Sequence, residues 1–336
     1  MTVPVVTIFG GSGFIGRQVA QRMARAGWRV RVAVRRPEEA GFVRPYGFVG
    51  QVEPIQANIR DERSTRAAIA GADSVVNCVG ILGEGGRQTF SAVLDQGAAR
   101  IARLCAEEGV ARLAHVSAIG ADPASDSLYA AAKGRGEAAV ALQFPGATIF
   151  RPSIVFGDGD GFFNRLGSIA RVSPVMPIVG PDTRFQPVYV GDVAQALVAG
   201  ATGAAPAGVY ELGGPEVATF RDLARRVLSI TRRRRMIVTL PGWVARLQAS
   251  ALDLVQQISG GLVTNAVLTR DQLRLLAHDN VVAPGARGLA DLGIRPIEME
   301  AVLESYLYCY RPHGQYDAIT DSAQDLREER ALRARS

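Results

Sequence analysis

The residues best suited to chemistry are the glycines at positions 10, 13 and 16. The apolar stretch before them predicts a buried strand, and apolar residues at helical spacing follow them. At such a strand-to-helix turn Gly10 permits the tight bend, Gly13 lets a pyrophosphate approach the backbone, and Gly16 allows close packing. The N–H groups at the helix start would bind the phosphates. A dinucleotide site is therefore predicted at Gly10, Gly11, Ser12, Gly13, Phe14, Ile15 and Gly16.

Two arginines, Arg35 and Arg36, end the second predicted strand, Trp28 to Val34. Folds that prefer NAD carry an acidic residue near this point, which accepts from the ribose hydroxyls. Here the strand end has no carboxylate, and the forked donors of arginine suit a 2′-phosphate. The alternative is a pair of solvated arginines. We favour NADPH (NADP) as the cofactor.

Other strand ends should complete the cofactor site, because parallel strands end at one edge of their sheet. Residues 52–57, 74–79, 112–116 and 147–151 have the apolar character of such strands. We expect Asn58, Ile59, Arg60 and Asp61 to flank the adenine, and Gly80, Ile81, Leu82 and Gly83, which follow Val79, to pass beneath the ribose and pyrophosphate. The nicotinamide side would be lined by Pro152, Ser153, Ile154 and Val155.

The elements that position these residues alternate between strand and helix, with short turns. This order predicts an α/β fold, a Rossmann-type doubly wound parallel sheet with a smaller mixed C-terminal lobe. We expect the dinucleotide domain in residues 1–160, its sheet completed from within 185–215, and the docking lobe in 161–320. The charged residues 321–336 predict a flexible tail.

Composition restricts the classes of function. Hydrophobic residues make up 48% of the 336 residues and charged residues 21%, which is typical of a globular protein. No apolar run is long enough to span a bilayer, and we expect no targeting presequence. The three cysteines predict reduced core thiols and no metal site. The net charge of +6 comes without alternating basic and aromatic residues, so nucleic acid is not an expected partner.

A basic run, Arg232, Arg233, Arg234 and Arg235, precedes a predicted amphipathic helix over Trp243 to Ile258. Such a pair is typical of docking to a partner protein or to anionic lipid at a membrane surface. The alternative is a surface loop followed by a helix that packs on the core.

Ser117 ends the fifth predicted strand, and Tyr129 and Lys133 lie one turn apart on a predicted helix. Lys133 is the one lysine among 38 basic residues, which suggests a specific role. The alternative is an ordinary helix surface. The three residues resemble the catalytic set of short-chain dehydrogenases. The resemblance implies that Tyr129 is the acid/base, Ser117 positions the substrate oxygen and Lys133 donates to the nicotinamide ribose.

Other motifs extend the resemblance. The glycine loop, Arg151-Pro152 and Val190-Gly191-Asp192-Val193 resemble the extended and atypical short-chain dehydrogenase/reductase superfamily. Five further motifs are His115-Val116-Ser117, Lys133-Gly134-Arg135-Gly136-Glu137, Gln186-Pro187-Val188-Tyr189-Val190, Leu268-Thr269-Arg270-Asp271-Gln272 and Leu289-Ala290-Asp291-Leu292-Gly293-Ile294. Together they give a closer resemblance, over nearly the whole chain, to the NAD(P)H-binding accessory subunits of respiratory complex I.

This resemblance implies a tightly held NADPH far from the electron path, other complex I subunits as partners, and a place on the peripheral arm near the membrane. The bias to arginine and alanine, without a presequence, favours a bacterial form on the cytoplasmic side of the inner membrane. Two functions stay open. One is an assembly subunit without turnover of its own, which we favour. The other is a free-standing reductase, epimerase or dehydratase acting on a nucleotide-sugar or small carbonyl.

Overall fold

A computed structural model describes residues 3–240 and 270–316 of the chain. The strands are β1 (Val5–Phe9), β2 (Arg29–Val34), β3 (Val52–Gln56), β4 (Ser74–Asn77), β5 (Arg112–Val116), β6 (Thr148–Pro152), β7 (Val155–Phe156), β8 (Val175–Ile178), β9 (Arg184–Phe185), β10 (Val188–Tyr189), β11 (Gly208–Leu212), β12 (Ala218–Thr219) and β13 (Met236–Thr239). The α-helices are α1 (Phe14–Arg25), α2 (Glu62–Ile69), α3 (Gln96–Glu107), α4 (Leu128–Gln143), α5 (Phe163–Val172), α6 (Val190–Thr202), α7 (Phe220–Ile230), α8 (Arg270–Leu275) and α9 (Glu300–Leu307).

Seven parallel strands form the central sheet, in the order β11-β6-β5-β4-β1-β2-β3. The chain moves outward from β1 to β3, returns to β4 on the other side of β1, and continues to β6. This reversal between β1 and β4 is the switch point at which doubly wound sheets bind ligands. The predicted Rossmann-type α/β fold is confirmed.

The central strands β1 and β4 are buried on both faces of the sheet, as is typical of parallel sheets covered by helices. On one face Ile8 packs with Met23 of α1 and Leu197 of α6 in one hydrophobic cluster. On the other face Val75 packs with Ile101 of α3 in a second cluster. The carboxyl ends of the strands are thereby held at one edge between two helical layers.

Two helices have features that bear on the site. A π-helical turn, Ser91–Asp95, directly precedes α3. Asp192 lies in the first turn of α6. Its buried carboxylate accepts from the Ile297 backbone N–H at 2.8 Å, so it holds the C-terminal part of the chain.

A third hydrophobic cluster forms the smaller lobe and includes Phe163 of α5, Leu223 of α7 and Leu303 of α9. Here β8 pairs in parallel with β13, and β9 pairs antiparallel with β12. The lobe is not contiguous in sequence, because α6 and β11 belong to the main sheet and its helical layer. The domain boundaries at 160 and 320 stay predictions.

The structure bears on further predictions about the C-terminal segments, membrane-spanning helices and the cysteines. The predicted helix over 243–258 and the tail 321–336 lie outside the described residues. Within residues 3–240 and 270–316, no helix combines the length and apolar character that a bilayer crossing requires. Cys78 is half-buried and Cys105 is buried, but Cys309 is exposed, so the prediction of three core thiols is wrong for Cys309.

Candidate functional site

The glycine loop turns sharply between β1 and α1. Gly10 has a φ of +71°, and its N–H donates to the Ala33 carbonyl of β2. A Cβ on Gly16 would stand 2.2 Å from the Gly10 oxygen, so only glycine permits this packing of α1 on the turn. The predicted roles of these two glycines therefore have a steric basis.

The start of α1 has the character of an anion site. Its N-cap is Gly13, which supplies no side-chain acceptor, and its first turn contains no acidic residue. By contrast, Asp61 and Ser127 cap the starts of α2 and α4 with their side chains. The first N–H groups of a helix need acceptors, and a phosphate would supply them here together with the charge that the helix dipole favours.

A cleft of about 400 Å³ opens at the switch point of the sheet. Eighteen of the described residues line it, and eleven of them belong to the predicted cofactor site. Those eleven are Gly10, Ser12, Gly13, Arg35, Arg36, Asn58, Ile59, Arg60, Val79, Gly80 and Ile81. The sequence reasoning missed the other seven: Ala33, Val34, Glu39, Ala57, Cys78, Gln88 and Val93. Gly11 and Gly16 are buried behind the loop.

The two arginines after β2 have different surroundings. Arg36 forms an exposed ion pair with Glu39 at 2.8 Å, so an acidic side chain does stand near this strand end. Arg35 lines the cleft and also an adjoining hollow of about 350 Å³ beside Asn58 and Ser64. Arg35 is therefore the better placed of the two for a phosphate.

Ser117, Tyr129 and Lys133 lie where β5 and α4 meet. The Lys133 ammonium is buried and donates to the Val116 carbonyl at 2.9 Å. The Ser117 hydroxyl is buried and has no hydrogen-bond partner among residues 3–240 and 270–316. The Tyr129 ring packs edge-on against Phe90, with 5.7 Å between centroids. The buried, unsatisfied hydroxyl of Ser117 fits a site whose ligand supplies a polar partner.

Burial shifts the acidity of the two titratable members of this set. It raises the pKa of the Tyr129 phenol to about 12. It lowers the pKa of the Lys133 ammonium to about 8, against the opposing effect of the Glu137 carboxylate. At neutral pH Tyr129 is thus a neutral phenol that can donate a hydrogen bond, and Lys133 carries a positive charge beside the cleft.

The segment after β6 is hydrogen-bonded to neighbouring parts of the fold. The Ser153 N–H donates to the Leu212 carbonyl, and the Ile154 carbonyl accepts from Val188. The Ser153 hydroxyl donates to the Asn280 side chain at 2.6 Å. Much of the polar surface of Pro152, Ser153, Ile154 and Val155 is therefore engaged within the protein, and their contact with a nicotinamide stays a prediction.

The sequence reasoning gave no role to Asp271 or Asn280, which the fold brings to this edge of the sheet. Asp271 contacts the start of α4, and Asn280 contacts Ser153. Asp271 stood in a motif quoted for the family resemblance, but nothing in the local pattern indicates its contact. Arg17 was missed as well: it donates to the Asp158 carbonyl and so links α1 to the loop after β7.

Two of the four arginines in the basic run form hydrogen bonds within the smaller lobe. Arg233 donates through Nε to the Tyr310 carbonyl at 2.6 Å, and Arg235 donates through Nε to the Ala170 carbonyl at 2.9 Å. Both are half-buried, whereas Arg232 and Arg234 are exposed. The four arginines of the run are therefore not equivalent, and docking through them stays a prediction. No cluster of His, Cys, Asp or Glu in the described parts of the chain could hold a metal ion.

Known proteins resemble this chain along most of its length. A family described as NAD(P)H-binding matches residues 10–155. The mitochondrial NADH dehydrogenase (ubiquinone) 1 alpha subcomplex subunit 9 of Arabidopsis thaliana is 33% identical over 316 residues, which cover 92% of this chain and 79% of that protein. The chain belongs to this subunit family. The 40 kDa NADH-ubiquinone oxidoreductase subunit of Neurospora crassa is 30% identical over 325 residues, or 96% of this chain and 84% of that protein.

Both of these relatives of the subunit 9 family are mitochondrial, so they do not support the expected bacterial form. A ceramide reductase of Caulobacter vibrioides is 35% identical over 195 residues, or 58% of this chain and 60% of that protein.

Many solved structures resemble the fold. One example is gox2253, with a TM-score of 0.70, 20% identity, and coverage of 93% of this chain and 99% of that one. Another is an Escherichia coli NADPH-dependent quinone oxidoreductase complexed with NADPH, with a TM-score of 0.67, 17% identity, and coverage of 90% and 98%.

Proposed function

We propose that the chain is an accessory subunit of respiratory complex I that holds NADPH as a tightly bound structural cofactor outside the electron path. The observation that carries the proposal is the extent of the likeness to subunits of NADH-ubiquinone oxidoreductase. It covers 92% of the chain, far more than the nucleotide-binding residues 10–155. A likeness confined to those residues would indicate the cofactor alone.

The site residues support a nicotinamide nucleotide. The uncapped start of α1 would hold its pyrophosphate, Arg35 its 2′-phosphate, and Lys133 the ribose hydroxyls. When bound, the nicotinamide would supply a hydride donor or acceptor. In a structural role the same contacts stabilise the folded subunit, because the ligand binds only the folded state.

The partners in this proposal are the other complex I subunits, and the location is peripheral, on the arm near the membrane. Within the basic run, the exposed Arg234 is the residue best placed to meet an anionic lipid or an acidic partner surface. The cytoplasmic face of a bacterial inner membrane stays a prediction that rests on composition, since the named subunit 9 relatives are mitochondrial.

A second candidate function is a free-standing NADP-dependent reductase. Ser117, Tyr129 and Lys133 form a complete short-chain dehydrogenase set, and the unpartnered Ser117 hydroxyl could bind a substrate oxygen. The likeness to a ceramide reductase over 195 residues favours the same function. A nucleotide-sugar or a small carbonyl is the substrate class that the set suggests.

Two variants separate these functions. Lys133→Ala should lose nucleotide and lower the melting temperature in either case. Tyr129→Phe keeps the ring but removes the acid/base hydroxyl, so a structural cofactor predicts nearly unchanged NADH:quinone activity of the whole complex. A true reductase would instead become about 10²–10⁴-fold slower.

Native migration with an NADH-oxidising complex tests the assembly directly. Analysis of the nucleotide released on denaturation tests the cofactor. NADPH turnover by the isolated protein that disappears in Tyr129→Phe would favour the reductase.

A further inference from the structure

The carboxylate of Asp271 binds the start of α4, the helix that carries Tyr129 and Lys133. It accepts from the Leu128 N–H at 2.7 Å, from the Tyr129 N–H at 3.1 Å and from the Ser127 hydroxyl at 2.9 Å. Asp271 comes more than a hundred residues later in the chain, in α8. A residue of the C-terminal region thus contacts the backbone of a predicted site residue.

With Asp271 in place, the start of α4 has an acceptor for each of its first four N–H groups. Asp271 serves Leu128 and Tyr129, the Ser127 hydroxyl accepts from Ala130, and the Ser127 carbonyl accepts from Ala131. The carboxylate also lies at the positive end of the helix dipole. Without it, two N–H groups lose their acceptor and Ser127 loses the partner that orients its hydroxyl.

The same C-terminal segment contacts two more loops at the carboxyl edge of the sheet. We call residues 271–280 the strap. At its far end Asn280 accepts from the Ser153 hydroxyl after β6, and its amide donates to the Ile119 carbonyl after β5 at 3.5 Å. Near its start Arg274 donates to the Asp126 carbonyl at 2.8 Å. The strap therefore ties α4 to the ends of the two strands that flank the predicted nicotinamide position.

We propose that Asp271 is a positioning residue for the cofactor site: by closing the start of α4 it fixes Tyr129 and Lys133, and it couples the strap to cofactor binding. This inference rests on the proposed binding of NADPH. Coupling between two sites is reciprocal, so bound NADPH should also hold the strap in place. The C-terminal region and the nucleotide then stabilise each other through one helix.

The test uses the full chain and NADPH, with Asp271→Asn and Asp271→Ala as variants. Asp279→Asn is the matched control, because Asp279 lies on the same strap but holds Arg184, through its N–H at 2.8 Å and its Nε at 2.8 Å. Fluorescence titration should show NADPH affinity lowered by about fivefold or more in the Asp271 variants and by less than about twofold in the control. Melting of the nucleotide-free proteins measures the purely structural loss separately.

Trypsin cleavage after Arg274 gives the reciprocal measurement. NADPH should slow this cleavage in the unmodified chain and protect the Asp271 variants less. Equal NADPH affinity in Asp271→Asn and the unmodified chain would overturn the coupling alone, and so would equal losses in Asp271→Asn and Asp279→Asn. Absence of NADPH binding by the unmodified chain would overturn the proposed cofactor role and the coupling together.

Discussion

Gly136 of α4 packs directly on the backbone of Leu94, in the π-helical turn before α3. A Cβ on Gly136 would stand 2.2 Å from the Leu94 carbonyl oxygen and 3.5 Å from the Ala98 side chain. This contact gives a physical role to one glycine of the Lys-Gly-Arg-Gly-Glu motif. It sets the distance between α3 and α4, and so the depth at which Lys133 lies.

Gly136→Ala should destabilise the fold, although alanine is the better helix former by about 1 kcal/mol. Backbone atoms cannot move aside cheaply, so overpacking of about 1–3 kcal/mol outweighs the helix preference. Gly41→Ala is the control, since a Cβ on Gly41 meets no atom within 4 Å. Urea unfolding should give a lower free energy for Gly136→Ala alone; a gain in stability in that variant would contradict the packing argument.

Arg35 should decide the preference between NADPH and NADH. A bidentate contact with a phosphate contributes about 1.5–3 kcal/mol, which is roughly tenfold or more in affinity. Arg35→Asp should therefore weaken NADPH and relatively favour NADH. Arg36→Gln is the comparison, because Arg36 is paired with Glu39 and exposed. Competitive titration of both nucleotides measures the ratio, and NAD(H) extracted from the unmodified protein would contradict the assignment.

His115 should make the fold sensitive to acid. Asn77 donates from its amide nitrogen to His115 Nδ1 at 3.1 Å, while the Asn77 oxygen accepts from Val79. The ring proton therefore belongs on Nε2, which is buried and has no hydrogen-bond partner in the described part of the chain. Burial, with the Lys133 charge nearby, lowers the pKa of His115 from 6.5 to about 3.

The depressed pKa gives the sign of the effect. The folded state keeps His115 neutral, whereas the unfolded state binds a proton as the pH falls below about 6.5. The free energy of unfolding should thus fall by up to about 1.4 kcal/mol per pH unit between pH 6.5 and 3, and be unaffected by this group at higher pH. His115→Gln should reduce that pH dependence by one proton, as measured by urea unfolding at pH 7 and pH 5.

The basic run should divide into structural and exposed arginines. Arg233→Gln and Arg235→Gln remove donors to the Tyr310 and Ala170 carbonyls and should lower the melting temperature. Arg234→Gln should leave the melting temperature unchanged but weaken binding to anionic vesicles or membranes, an effect that added salt should reproduce. Sedimentation with vesicles of phosphatidylglycerol and phosphatidylcholine provides the measurement. Equal melting temperatures across the three variants would contradict the division.

The sheet and the glycine loop could be predicted because their signals are local. A strand buried on both faces is apolar residue by residue, and Gly10 and Gly16 follow from a turn that tolerates no Cβ. The neighbouring ends of parallel strands then follow from the fold itself, and this placed Asn58 and Val79 at the cleft.

The contacts made across the chain could not be predicted in the same way. Asp271 contacts α4 only because the strap returns to the carboxyl edge of the sheet. Residues 270–280 show no periodic pattern that would indicate this contact. Nor does the run of four arginines show that Arg233 and Arg235 are turned towards backbone carbonyls. The π-helical turn before α3 could not be predicted either, because residues Ser91 to Asp95 have the composition of an ordinary helix.

The position of β11 at the edge of the main sheet has a consequence during synthesis. When residues 10–155 leave the ribosome, the outer edge of β6 has no neighbour, and it gains one only after Gly208–Leu212 have emerged. An unpaired strand edge is a template for pairing with other chains. The nascent protein thus passes through a stage at which the residues that match the NAD(P)H-binding family are all present but the β6 edge of the sheet is unpaired. A chaperone that shields this edge would act in that interval, before β11 closes it and the Arg287 carbonyl accepts from the N–H of Glu211 on the far side.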